Sequence, residues 1–211
     1  QNNPALRVAS FPTLERVLYG VELSANALET LDLGALQSVG SLRVADMPSL
    51  TAIDGDALLS VQGDLTLRNL PALGHIEGFA TLDAVGGELR LEYLGALDLA
   101  PLGNVTELGG LLLSASQVTD AGKLTSLREI RGSLRVFDNP ALTTIGTFPA
   151  LRSVSGGVLL VDNPALTKVE AFAHLDRLGP IMIAGSPLLT EIGAFEPAQW
   201  STGQVCDVFW Q

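Results

Sequence analysis

One cysteine, two histidines and an aromatic content of 5% leave this 211-residue chain short of the side chains from which most enzyme sites are assembled. Cys206 has no second thiol to pair with, so no internal disulfide framework exists. It lies far in sequence from His75 and His174, and a catalytic thiol needs an adjacent base, so it reads as a buried tail thiol. There is no G-x-S-x-G, no P-loop and no H-E-x-x-H. Basic residues are scarce as well. Twelve Lys and Arg against 23 Asp and Glu give a net charge of −11, which disfavours nucleic acid and anionic membrane surfaces. No apolar run approaches the roughly 18 residues of a membrane span, so no membrane insertion is expected. The N-terminus lacks the regions of a signal peptide and begins inside a repeat, which reads as a processed or trimmed end.

What the chain has in quantity is glycine, leucine and self-similarity. The stretch GSLRVFDNPALTTIG from Gly132 is followed by GGVLLVDNPALTKVEAF from Gly156, with DNPALT repeated letter for letter. Weaker copies begin at Gly40, Gly63, Gly87 and Pro180, and divergent ones at Gly20 and Gly110. Opening positions Gly40, Gly63, Gly87, Gly110, Gly132, Gly157 and Pro180 are 23, 24, 23, 22, 25 and 23 residues apart. A period near 23 marks a stack of equivalent units. The repeats run without a linker to about Pro197, so the expectation is one domain over 1–211. Its coils occupy about 1–197, and the aperiodic tail at about 198–211, with Trp200 and Trp210, forms a terminal cap.

Each unit holds three short apolar pairs, such as LRV, LTTI and LRSV within residues 134–154, separated by Asn-Pro and glycine corners. In LRV the apolar residues alternate with a polar one, the mark of a half-buried strand. Three strands and three corners per unit predict a mainly β protein: a right-handed parallel β-helix solenoid of about eight coils, a rod roughly 40 Å long. A single coil cannot bury its apolar face except against the next. The expected core columns are Leu42, Leu65, Leu89, Leu111, Leu134, Leu159 and Ile181, beside Val44, Leu67, Leu91, Leu113, Val136, Val161 and Ile183. A further column runs Leu50, Leu73, Leu97, Leu142, Leu166 and Leu189.

The phrase G-x-L-x-V-x-D-N-P-A-L-T-x-I followed by F-x-x-L-x-S-V-x-G resembles the receptor L-domain family, leucine-rich β-helix modules of growth-factor receptors and of fungal and bacterial surface proteins. The likeness is strongest over 40–80 and 132–195 and weakest over 93–131, where the Asn-Pro corner is lost. With a single cysteine the chain is closer to the bacterial or fungal wall-type members. The resemblance implies an extracellular or cell-surface module that binds a protein or glycan, or another segment of a longer chain. The competing architecture is an ordinary leucine-rich repeat, whose L-x-x-L spacing occurs at Leu36, Val39 and Leu42.

No catalytic, cofactor or metal site is expected. His75 and His174 fall four coils apart, roughly 19 Å, too far to share an ion. Asp46, Asp138 and Asp162, with Asn2 and Asn69, share one corner and read as side chains bonding corner amides, calcium being the alternative. Asn104 in NVT matches a glycosylation acceptor. An ice-binding face would need a Thr-x-Thr ladder that is lacking here. A wall-polysaccharide enzyme, the alternative function, would need paired carboxylates with aromatic platforms. The candidate binding surface is therefore the outward side of the L-x-V strands: Arg43, Arg90 and Arg135 in a charged run, with Leu112, Phe137, Val158, Leu160 and Met182 forming an apolar patch toward the C-terminal half.

Overall fold

The computed structural model describes residue 3 and residues 5–25, 27–172 and 174–193; the expected cap at 198–211, with Cys206, Trp200 and Trp210, lies outside them, as does Asn2. Eight left-handed corners recur along the chain, at Ala25, Asp46, Asn69, Tyr93, Ala115, Asp138, Asp162 and Gly185, with φ between 49° and 64°. This region is costly for most L-residues and least so for Gly, Asn and Asp. DNP phrases are thus sites where the chain turns left-handed once per coil, and eight such corners count eight coils.

Each coil has three sides. On the first, strands Val8–Ser10, Thr30–Asp32, Ala52–Asp54 and His75–Glu77 form one sheet, and Thr144–Ile145, Lys168–Val169 and Glu191–Ile192 another. The other two sides belong to a single twelve-stranded sheet folded along a glycine corner; some strands, such as Arg16–Ser24, Ser38–Ala45 and Glu107–Ser114, run unbroken across the fold. Every pairing between coils is parallel. The helical segments among the described residues are two short 3₁₀ turns, Phe79–Thr81 and Ala100–Leu102.

Glycine fixes the fold of that sheet. Gly40, Gly63, Gly87, Gly109, Gly132, Gly156 and Gly179 stand in one column, and each approaches the backbone of the coil before it. The Gly132 amide donates to the Gly109 carbonyl at 2.6 Å and the Gly156 amide to the Gly132 carbonyl at 2.8 Å. A Cβ on Gly132 would stand 2.5 Å from the Gly109 oxygen, and one on Gly156 2.6 Å from the Gly132 carbonyl carbon. No side chain fits there.

The apolar columns fill the interior. Leu42, Leu65, Leu89, Leu111 and Leu134 are buried in register, as are Val44, Leu67, Leu91, Leu113 and Val136. Leu50, Leu73, Leu97, Leu142 and Leu166 are buried on the first side, with Leu189 partly so. Coil seven departs from expectation. Leu134 pairs with Val158 and Val136 with Leu160, so Val158 and Leu160 are core, while Leu159 and Val161 are half-buried on the outside. The cause is the Gly156-Gly157 pair: Gly156 continues the glycine column, and Gly157, at φ 94°, takes the place of Ser133. Phasing from Gly157 shifts the strand by one residue, and a one-residue shift exchanges its two faces.

A polar seam also lies inside. The Asn163 amide group donates to the Val136 and Val161 carbonyls, and its oxygen accepts from the Asn139 backbone and side chain. Asn139 does the same one coil earlier, toward Leu113, Phe137 and Ser116. Both asparagines are fully buried and satisfied, as buried amides must be.

Candidate binding face

The third side of each coil presents alternate residues to solvent, and register places Glu22, Arg43, Thr66, Arg90, Leu112, Arg135, Leu159 and Met182 in one outward column. Arg43, Arg90 and Arg135 therefore stand where the sequence puts them. Val158 and Leu160 do not: they face the core, and Leu159 takes the outward place.

Over the first half of the stack the face is a lattice of ion pairs. Arg43 lies 3.5 Å from Glu22, Arg90 3.4 Å from Asp64 and 2.8 Å from Glu88, and Arg68 3.4 Å from Glu92. Arg68 also sits over the Tyr93 ring at 6.0 Å, a cation–π contact. Arg135 reaches back two coils to Glu88. Its path crosses Gly110, which carries no side chain to block it. Glu88, with a side chain only 13% exposed, is thereby gripped by two guanidiniums. Leu112 lies between Arg90 and Arg135 in the column and is only 7% exposed, so it is outward in direction but shielded.

The second half is apolar. Phe137, Leu159, Val161 and Ala184 are half-buried and Met182 is 43% exposed. Beside them the sheet forms two adjoining hollows. One, of about 330 Å³, has a floor of glycines, including Gly87, Gly109, Gly110 and Gly132, with Glu88, Ser133 and Arg135 at its mouth. The other, of about 340 Å³, is bounded by Ser133, Arg135, Gly157, Leu159, Pro180 and Met182.

 Leu159 lies along the second hollow, and because Ser133 and Arg135 border both, the two run together along the stack.

The chemistry available here is recognition. The Ser133 hydroxyl donates to the Gly156 carbonyl at 3.0 Å. Asp64 and Glu88 are both ion-paired with Arg90. Among the described residues no three His, Cys, Asp or Glu side chains gather as metal ligands. At the Asx corner the Asn69 amide donates to Asp46 Oδ1 at 3.0 Å. Asp138 and Asp162 are exposed there at positive φ. Two charged groups on the first side are shifted. The Ser10 hydroxyl and the Gly34 amide donate to Asp32 and hold its carboxyl below the usual range, and hydrogen bonds to Glu170 and Glu191 raise Lys168. The outward places of Leu159 and Val161 were hidden in sequence by the double glycine. The reach of Arg135 to Glu88 was hidden because they are 47 residues apart.

No protein-family model and no curated protein matches this chain. Among solved structures it is similar to the leucine-rich repeat domain of the type III effector XopL, with a TM-score of 0.54 and 19% identity over 93% of this chain and 69% of that one. That likeness shows the fold, a leucine-rich-repeat-like solenoid of parallel β-coils, and leaves the narrower receptor L-domain family unshown.

Proposed function

We propose that the chain is a non-catalytic binding scaffold of the L-domain kind, a single right-handed solenoid over 1–211 that displays its sheet face to a protein or glycan at a cell surface. The observation that carries this reading is the division of that face. Ion pairs consume the charged side chains of the N-terminal half, whereas Phe137, Leu159, Val161 and Met182 offer contiguous apolar surface beside a hollow. Arg43, Arg90 and Arg135 frame the surface and orient a partner, while Phe137, Leu159 and Met182 supply contact area and Leu112 lies shielded between Arg90 and Arg135. A protein partner suits the apolar half better than a glycan does, since sugar platforms are usually aromatic and Phe137 is the lone aromatic ring in this patch. The polysaccharide-enzyme alternative has less support, because the carboxylates beside the hollows, Asp64 and Glu88, are tied to arginine. The test is a pull-down from surface extracts with the wild-type domain and with Leu159→Asp/Met182→Asp. Capture of a partner that the double variant loses while its melting temperature holds supports the reading. Equal capture by both, or none by either, contradicts it.

A further inference from the structure

Ion pairing passes over one group of arginines. Among the described residues, eight of the twelve Lys and Arg are ion-paired with a carboxylate, which leaves Arg16, Arg128, Arg152 and Arg177. Three of these four stand together on the second side of coils six to eight, and all three are exposed. The Arg152 amide donates to the Arg128 carbonyl at 2.9 Å and the Arg177 amide to the Arg152 carbonyl at 3.1 Å, so the three follow one another on adjacent strands. Like charges so placed repel. In a chain with 23 Asp and Glu against 12 Lys and Arg, nothing in the fold calls for three neighbouring arginines without a carboxylate partner.

Arg152 Nη1 donates to the Pro149 and Leu151 carbonyls at 3.3 and 3.1 Å, which holds that guanidinium close to the strand. Ser153, in register with Arg177, and Ser155 set their hydroxyls 3.4 Å apart beside it. Guanidinium and hydroxyl donors side by side suit an oxyanion. The rim decides which kind. Asp83, beyond Thr106, and Asp176 stand at the two ends of the column that holds Arg128 and Arg152. Glu107 and Glu129, both paired with Arg131, lie in the next column. A polyanion, charged along its whole length, would meet these carboxylates as well as the arginines, and the net charge of −11 opposes it. A short segment with two or three carboxylates meets the arginines alone. We infer that the second side of coils six to eight docks an acidic peptide segment of a partner protein, its carboxylates set among Arg128, Arg152 and Arg177. This surface is separate from the third-side face and does not depend on the reading of that face.

Fluorescence anisotropy of the purified chain tests this, with a labelled peptide of alternating glutamate and glycine, its glutamine counterpart, and labelled heparin. The glutamate peptide should bind saturably and more weakly as salt is raised, and the glutamine peptide should not bind. Arg128→Ala/Arg152→Ala should weaken binding at least about tenfold. Arg7→Ala/Arg16→Ala removes the same charge from the first coil and should leave binding unchanged. Thermal melts confirm that each variant is folded. No binding of the glutamate peptide overturns the inference, and so does equal weakening by the two double variants, which would mark general attraction to positive charge. Heparin binding more tightly than the peptide through the same arginines overturns it in favour of a polyanion.

Discussion

Leu159 and Leu160 are neighbours with the same side chain, and the strand turns one outward and the other into a core where it is 0% exposed. Leu160→Asp removes a buried side chain and leaves a carboxylate without a partner, at a cost of at least about 3–5 kcal/mol. Leu159→Asp changes an outward residue and should cost under about 1 kcal/mol. Parallel thermal melts check this; equal losses would contradict the register of coil seven. A second residue-scale prediction concerns Asp32. Its carboxyl is held below the ordinary range by the Ser10 hydroxyl and the Gly34 amide, so the folded state favours the ionised form. That contribution is present above the unfolded-state value near pH ~4 and is lost as pH falls through the lower folded value. Asp32→Asn should therefore lower stability at neutral pH and flatten the acid end of the profile, the gap from wild type closing as pH falls, as measured by melts across pH 2–7.

At the scale of the element, the fold between the second and third sides depends on backbones approaching too closely for a side chain. Gly132→Ala should destabilise by about 2 kcal/mol or more, since the Cβ would stand 2.5 Å from the Gly109 carbonyl oxygen, a main-chain atom that cannot swing aside. Gly74, around which nothing lies within 4 Å of a built Cβ, is the control. Gly74→Ala should be neutral or stabilising by up to about 1 kcal/mol. Chemical denaturation of the two variants separates these outcomes. The elements themselves were largely legible. Leucine at fixed spacing marked the inward columns, because burial in a solenoid repeats position by position. Coil seven misled, since GG offers two phasings one residue apart and strand geometry turns that residue into a change of face. Asn139 and Asn163 read only as corner residues before proline, yet they form a buried seam. Sequence marks the turn but not the carbonyls that the next coil brings to it.

For the whole molecule, each coil meets only its neighbours, so stability accumulates along one dimension and one surface runs the length of the stack. The ion pairs are surface pairs, worth little singly, and their arrangement matters more for excluding wrong partners than for holding the rod together. Everything proposed for the face rests on which residues stand side by side across coils. Pairwise cysteine cross-linking in a Cys206→Ser background measures that most directly, with an oxidant or a bis-alkylating reagent of about 5 Å span to match the spacing of adjacent strands. Arg135→Cys with Leu159→Cys, and Leu159→Cys with Met182→Cys, should cross-link readily in the native protein, because both pairs are register neighbours on the outward side. Arg135→Cys with Leu160→Cys should not. Efficient cross-linking of 135 to 160 with none of 135 to 159 would contradict the parallel stack described here.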